Sequence, residues 1–596
     1  MKNFPLLLGL VAPFFFSSCG GESSVPVNDA NDSAAVETST PNVPVTPKLP
    51  PLAPAIELAG AETQPFAYLK TIALPKLLQK AVAVAQAVKP DPQIAMVSAL
   101  AGMALGDPAL TSIDADAPMT LFVFDEFEGG DDVTFVLAVK LTKDSPVRKQ
   151  AETLDLTLAD RDGWTLATRA PELFSQVKDW SPLLNVAKQS PQGELEIGIL
   201  FQPVWQEMPK IKATVEGGLT MSPFDEETQA NLAKLIHVIL DEVASLDAAK
   251  FNLFLSTEEI VARFAMSAKG GTALSTMFSS KANGGNPSVA KYVESGGFLD
   301  AVLNYEMSGF IAYVNHVIDR LSPVIEGELK AILIQYKEMM AEMSKLYGGQ
   351  VAMSYDVSAE SNAMNIVQIG TTKASPEEFG KLFSESLKLS QDFIDGIFEQ
   401  IDVIEEMGIK YELEHTESEP VEGVPTYRYS MKMDMGEANA SLFPTELPYS
   451  NMTYLYAVTN DHYIMAMDET QLGSLIQVVK GGNGVKNSLA ESLPLQPGQS
   501  ARWSMDVKKY IKLIIGSMGG LLDDESNQKF SQAIEKLELA PITGSLSVDN
   551  GRFSTDVSIP LKTIKAGVDY FESEKAALVP EAIPDEIPAP SPKLEE

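Results

Sequence analysis

The chain has 596 residues, with 81 Asp and Glu against 45 Lys and Arg, giving a formal net charge of −36. So negative a field excludes nucleic acid as a partner, because phosphate binding needs clustered Lys and Arg. A single cysteine excludes a disulfide framework and any zinc site built from several thiolates. Apolar residues make up 45% of the chain, enough to bury sizeable cores, and the length predicts several domains or two large ones.

Residues 1–19 read MKNFPLLLGLVAPFFFSSC. Lys2 supplies a minimal positive start, and Phe4 to Phe16 form an apolar run too short to cross a bilayer as a helix. Ser17 and Ser18 follow, and then the sole thiol, Cys19. The pattern reads as a signal segment removed on export. A signal that ends on a cysteine resembles those of bacterial lipoproteins. That resemblance implies a signal peptide over 1–18, acylation of Cys19, and attachment to the membrane through the N-terminal lipid. In that class an aspartate after the cysteine marks inner-membrane retention, and Gly20 stands there instead. The implied location is the cell envelope, at the outer membrane, on a face that the sequence leaves open. Residues 19–55 then serve as lipid anchor and as a Pro- and Ser-rich tether.

Downstream, three strand–helix patterns recur in one order. The first is a short strand running into an amphipathic helix, at Phe66, Leu195, Leu299 and Ala501. The second is a hairpin followed by a helix, from Met119, Lys250, Gln350 and Thr543, with Gly129-Gly130 and Asn550-Gly551 at turns. The third is strand, polar turn, strand and helix, from Thr157 and Ala457. Extra hairpin material lies at Lys410–His415 and Val424–Asp434. The order predicts an α+β fold of two homologous halves, each a long antiparallel sheet with helices packed on one face. The expected spans are 56–283 and 298–575, joined by a Gly- and Ser-rich linker at 284–297. Residues 576–596 read as an acidic, Pro-rich tail. Alternation along the strands predicts that apolar residues point into a core and polar residues into water.

Predicted helices include Lys76–Val88 and Ile94–Leu105, which are Ala-rich and almost wholly apolar, and so must be buried or must cover something greasy. Phe224–Ser245, Phe310–Leu346 (broken near Ser322-Pro323) and Pro376–Met407 carry charged faces. Met339–Met343 reads as adaptable core packing ahead of a binding surface.

Catalytic patterns are sparse. His237, His316, His415 and His462 stand in no metal-sharing spacing and read as structural or surface residues. Ser175 and Lys178 match a bare Ser-x-x-Lys, but the partner Lys269–Thr272 is Lys-Gly-Gly-Thr rather than Lys-Thr-Gly. Lys480–Asn487 is glycine-rich without the Walker order and reads as a helix stop. Asp125, Glu126, Glu128, Asp131 and Asp132 crowd a hairpin tip, as oxygen donors for Ca²⁺ do, but without the loop spacing. Asp523, Asp524 and Glu525 form a similar patch. No catalytic residue, cofactor or metal site is expected, and the one modification site is Cys19. The leading expectation is a non-enzymatic, membrane-tethered envelope lipoprotein with a binding or scaffolding role and a ligand that the sequence does not identify, a hydrophobic molecule or an envelope protein being the candidate partners. A periplasmic carrier of lipid or another hydrophobic molecule is the first alternative, and a carboxylate-dependent hydrolase the second.

Overall fold

Short runs of alternating apolar and polar residues, rich in Val, Ile, Phe, Tyr and Thr, form strands. The computed structural model describes residues 65–124, 134–221, 226–279, 285–324, 327–357, 364–398, 410–434, 451–459, 461–517 and 524–578. The expected signal peptide, Cys19, the tether and the tail lie outside these residues, apart from the tail's first residues, 576–578.

The strands are β1 (Ala67–Thr71), β2 (Met119–Phe124), β3 (Thr134–Val139), β4 (Thr157–Arg161), β5 (Trp164–Thr168), β6 (Leu195–Leu200), β7 (Leu246–Leu255), β8 (Glu259–Ala268) and β9 (Leu299–Asn304). They continue with β10 (Tyr347–Val357), β11 (Met364–Thr372), β12 (Lys410–Val421), β13 (Val424–Asp434), β14 (Asn451–Thr459), β15 (His462–Ala466), β16 (Gln499–Met505), β17 (Ile542–Asp549) and β18 (Arg552–Pro560). With 17 helices among the described residues, the fold is mixed α+β.

All 18 strands belong to a single sheet whose pairings are antiparallel. Outward from the pair β8–β18, one arm runs 8-7-6-1-2-3-5-4. The other arm runs 18-17-16-9-10-11-15-14-13-12. Each strand of the first arm has a counterpart at the same step of the second, and β13 and β12 extend the second arm alone. Pairing across the middle of the sheet rests on β8 and β18, the last strand of each arm in chain order.

Helices pack on both faces, which corrects the expectation of one. Ile464 of β15 joins a cluster with Leu472, Ile476 and Val479 of the helix Glu469–Gly481. Its neighbours Tyr463 and Met465, pointing the other way, join Phe379 and Leu387 of the helix Pro376–Phe398. We call the Ile464 side the front. In the first arm the front cluster packs Tyr68, Phe122, Val136 and Trp164 against Leu183 and Leu184 of the helix Ser181–Lys188. The stretch expected as a linker carries a 3₁₀ turn, Ser288–Tyr292, whose Val289 and Ala290 are buried in the second front cluster.

Local signals explain where the helices begin and end. Pro75 stands in the first turn of Leu74–Val88, where its missing N–H costs nothing. Gly482 ends Glu469–Gly481 at φ 69°, the helix stop read from the glycine-rich run. The break near Ser322 separates Ser308–Leu321 from Gly327–Leu346 as expected. By contrast, the helix predicted over Ile94–Leu105 is two, Pro92–Ala95 and Val97–Ala104.

Candidate functional site

Cross-strand partners share a face of a sheet, so the pairing registers place side chains in rows. One front row crosses seven strands as Lys70, Glu196, Asn252, Arg263, Asp556, Ser545 and Arg502. These are polar positions of the alternation, and all but the partly covered Asp556 are buried. Lys70 is 1% exposed, Glu196 3%, Arg263 6% and Arg502 3%.

The row is held by its own partners. Tyr68 Oη donates to Glu196 Oε1 at 2.7 Å, and the Gln192 backbone N–H donates to Oε2 at 2.9 Å. Arg263 grips Asp556 with two bonds, Nε to Oδ1 at 2.6 Å and Nη2 to Oδ2 at 3.1 Å. Arg502 Nη1 donates to the Pro494 carbonyl at 2.9 Å. Burial pushes the Lys70 and Lys250 ammonium groups down from the ordinary lysine value, against the pull of Glu196. It also pushes the Tyr68 phenol far up, with the Glu196 charge adding to the effect.

The opposite, back face of the sheet is apolar; a cluster with Leu274, Phe278 and Val548 buried closes it over one end of β8, β17 and β18, while elsewhere in the first arm large apolar residues are left exposed. Phe135 of β3 is 39% exposed, Ile197 and Ile199 of β6 are 36% and 40%, and Phe264 of β8 is 39%. Thus the central strands reverse the expected arrangement, with polar registers inside and apolar registers toward solvent. The physical reason lies beyond the strand: alternation fixes two chemically distinct faces, and what packs on each decides which is buried.

The two arms differ on this back face. In the second arm, Pro376–Phe398 and the hairpin β12–β13 lay Phe379, Phe383, His415, Tyr427 and Tyr429 over Tyr456 and Tyr463. The hairpin has no counterpart in the first arm, where the same step holds only the short helix Pro146–Thr153. There the back cluster beside β3 is small, with Leu110, Ile113 and Val139 buried and Leu74 and Leu78 packed beside them, and a second one lies at the end of β8 around Leu274 and Phe278. The helix Leu74–Val88, which supplies those two leucines, buries none of its own residues. The apolar helices of this region are therefore not buried in a core. A cleft of about 580 Å³ opens at the start of the same helix, lined by Pro75, Leu110, Ile113, Asp114, Lys140 and Leu141. That volume falls in the range of small-molecule sites.

The residues singled out from sequence do not converge. His237 faces Glu216 at 3.3 Å, and His316 faces Glu242 at 3.2 Å. His415 Nε2 lies 2.7 Å from Tyr456 Oη, and its pKa is lowered by burial, while His462 sits edge-on to Tyr292. The Ser175 hydroxyl donates to the Glu172 carbonyl, and Lys269 Nζ lies 3.1 Å from the centre of the Trp205 ring. Met340 is buried, in keeping with core packing. The acidic tip at 125–132 and Asp523 fall outside the described residues. Among the described residues no three His, Cys, Asp or Glu side chains converge as a metal site. No described helix is long and apolar enough to cross a membrane.

Sequence reading missed both the buried polar row and the open apolar face. The available signal was a charged residue between two apolar ones in strands of both arms, as at Glu196, Arg263 and Arg502. Comparison of the chain with family models, curated proteins and solved structures finds no match to any of them.

Proposed function

We propose that this chain is a non-enzymatic lipoprotein of the cell envelope, anchored through Cys19 at the outer membrane, whose body carries a lipid or other apolar molecule. The observation that carries the proposal is the back face of β1–β3 and β6–β8, where Phe135, Ile197, Ile199 and Phe264 are each more than a third exposed. Apolar surface gathered on one sheet face, with charged side chains buried behind it, is the arrangement expected where an apolar guest completes the fold. The adjoining helices Leu74–Val88 and Val97–Ala104 supply an apolar cover that does not close on itself.

The shared strand order of the two arms supports a further reading, that they are homologous halves of an ancient duplication. The second half then fills its back face with the added helix and hairpin, and the first keeps its own open for cargo. The roles divide accordingly, with one half as scaffold and the other as container.

The test is extraction of the full chain carrying Cys19→Ser, purified without detergent, followed by mass spectrometry of the organic phase. A stoichiometric apolar compound supports carriage. Clean protein that keeps a compact fold sinks it, and leaves capture of an envelope protein as the reading to pursue.

A further inference from the structure

Between Asp91 and Asp107 the chain carries no charged residue, although its net charge is −36. This stretch forms the helices Pro92–Ala95 and Val97–Ala104, in which Gly102 alone is buried. Met96 is 56% exposed, Leu100 and Met103 are 53%, and Val97 is 43%. Gly102 fixes the helix to the turn that follows. A Cβ there would lie 2.6 Å from the carbonyl oxygens of Asp107 and Pro108, so only glycine permits the approach. The exposed side chains are thus presented from an anchored backbone.

A second element adds to the surface. Phe571, on the helix Leu561–Leu578, is 72% exposed. The next residue, Glu572, pairs with Lys89 at the end of Leu74–Val88, which brings Phe571 beside the chain entering the patch.

A helix that is apolar on all sides belongs inside something. These two, of 4 and 8 residues, are far too short to span a bilayer, but helices of this kind can lie within its interface. We propose that Pro92–Ala104 together with Phe571 is a membrane-docking surface that seats in the outer part of a zwitterionic lipid bilayer. A bilayer fits better than a protein partner because only Gln93 and Ser98 offer hydrogen-bonding side chains in the patch. Protein interfaces depend on aromatic and Arg anchors with paired polar groups, whereas fluid hydrocarbon asks for none. The length of the preceding chain agrees. Residues 20–64 separate Cys19 from the body, and a coil of that length spans roughly 35 Å, enough for the body to reach the surface that holds the lipid. The inference rests on the carrier reading above and deepens it. Docking here would set the bilayer beside the helix whose Leu74 and Leu78 pack on Val139 of β3, on the same sheet face as the exposed Phe135, giving an apolar cargo a short path between the two.

The lone cysteine makes the test clean, since Cys19→Ser leaves a chain with neither thiol nor acyl chain. A polarity-sensitive fluorophore is attached to Met103→Cys, Phe571→Cys or, as a control on an exposed loop, Gln496→Cys. Each chain is mixed with phosphatidylcholine vesicles with and without a spin-labelled lipid. Docking gives a blue shift and quenching at positions 103 and 571 but not at 496. Adding Met96→Asp and Leu100→Asp to the Phe571→Cys chain weakens partitioning by about tenfold or more. No blue shift at 103 and 571, or equal quenching at 496, overturns the proposal. Failure of the carrier reading is seen separately, as an empty organic extract from a chain that still docks.

Discussion

Arg263 and Asp556 sit opposite each other on β8 and β18, the one strand pairing between the two arms among the described residues, and both side chains are largely buried. Removing one partner leaves the other charge desolvated without its counter-ion, so Arg263→Met should lower unfolding free energy by about 3 kcal/mol or more. Adding Asp556→Leu to that variant should recover most of the loss, read as the urea midpoint of the double variant. Gly198 faces the Tyr68 ring, and a Cβ there would lie 2.3 Å from it. Gly198→Ala should therefore displace the phenol from Glu196 and cost about 1–3 kcal/mol, measured the same way. The same fit recurs at Gly370 against Tyr463 and at Gly544 against Trp503, so large rings lying over glycines are a repeated device of this sheet. His415 titrates with a calculable sign. Burial lowers its pKa, so the folded state resists protonation that the unfolded chain accepts. Its contribution is present above the unfolded value, about 6.5, and is lost as pH falls from there through the lowered folded value. His415→Phe should flatten the fall in stability below that pH, followed by thermal melts across the acid range.

Pro376–Phe398 and the β12–β13 hairpin are the elements that make the second arm unlike the first. Phe379 is among the most engaged rings, packed on Tyr347, Phe383, Tyr456 and Tyr463. Phe379→Ala should cost about 3–5 kcal/mol, the usual range for a buried phenylalanine, and should raise dye binding by uncovering the back face. Much of the element list was legible in the sequence. Period-two patterns gave the hairpins β7–β8 and β17–β18, the second with Asn550-Gly551 at its turn, and proline gave the start of Leu74–Val88. The break after Ala95 was not legible, since the run around Met96 contains no breaker and its helical period is unbroken. Nor was the inversion of faces. Whether Glu196 or Ile197 is buried depends on residues far along the chain, which a local window does not contain. The candidate site was legible only in part. The greasy helices after β1 stood out by composition, but their partner, the exposed Ile197, Ile199 and Phe264, reads locally as ordinary core.

At the scale of the molecule, the proposal places cargo and membrane contact on the first arm. Ile197→Glu with Phe264→Glu changes residues already more than a third exposed, so stability should stay within about 1 kcal/mol. Any co-purifying apolar compound should be lost, as judged by extraction and mass spectrometry. The charge of −36 also makes a prediction. Docking should weaken on vesicles enriched in anionic lipid at low ionic strength and recover as salt screens the repulsion, read by flotation.

The β8–β18 seam also governs how the chain reaches its final shape. Arg263 and Asp556 are 293 residues apart in sequence, so the pairing that completes the sheet must wait until all the strands of the second arm have been delivered. Until then β8 presents an unpaired edge, the kind that recruits foreign strands. Closing so long a loop adds little to its cost in equilibrium terms but delays the final step. The vulnerable interval in the life of this protein is therefore its emergence, when the first arm is assembled and its last strand has nothing to hold.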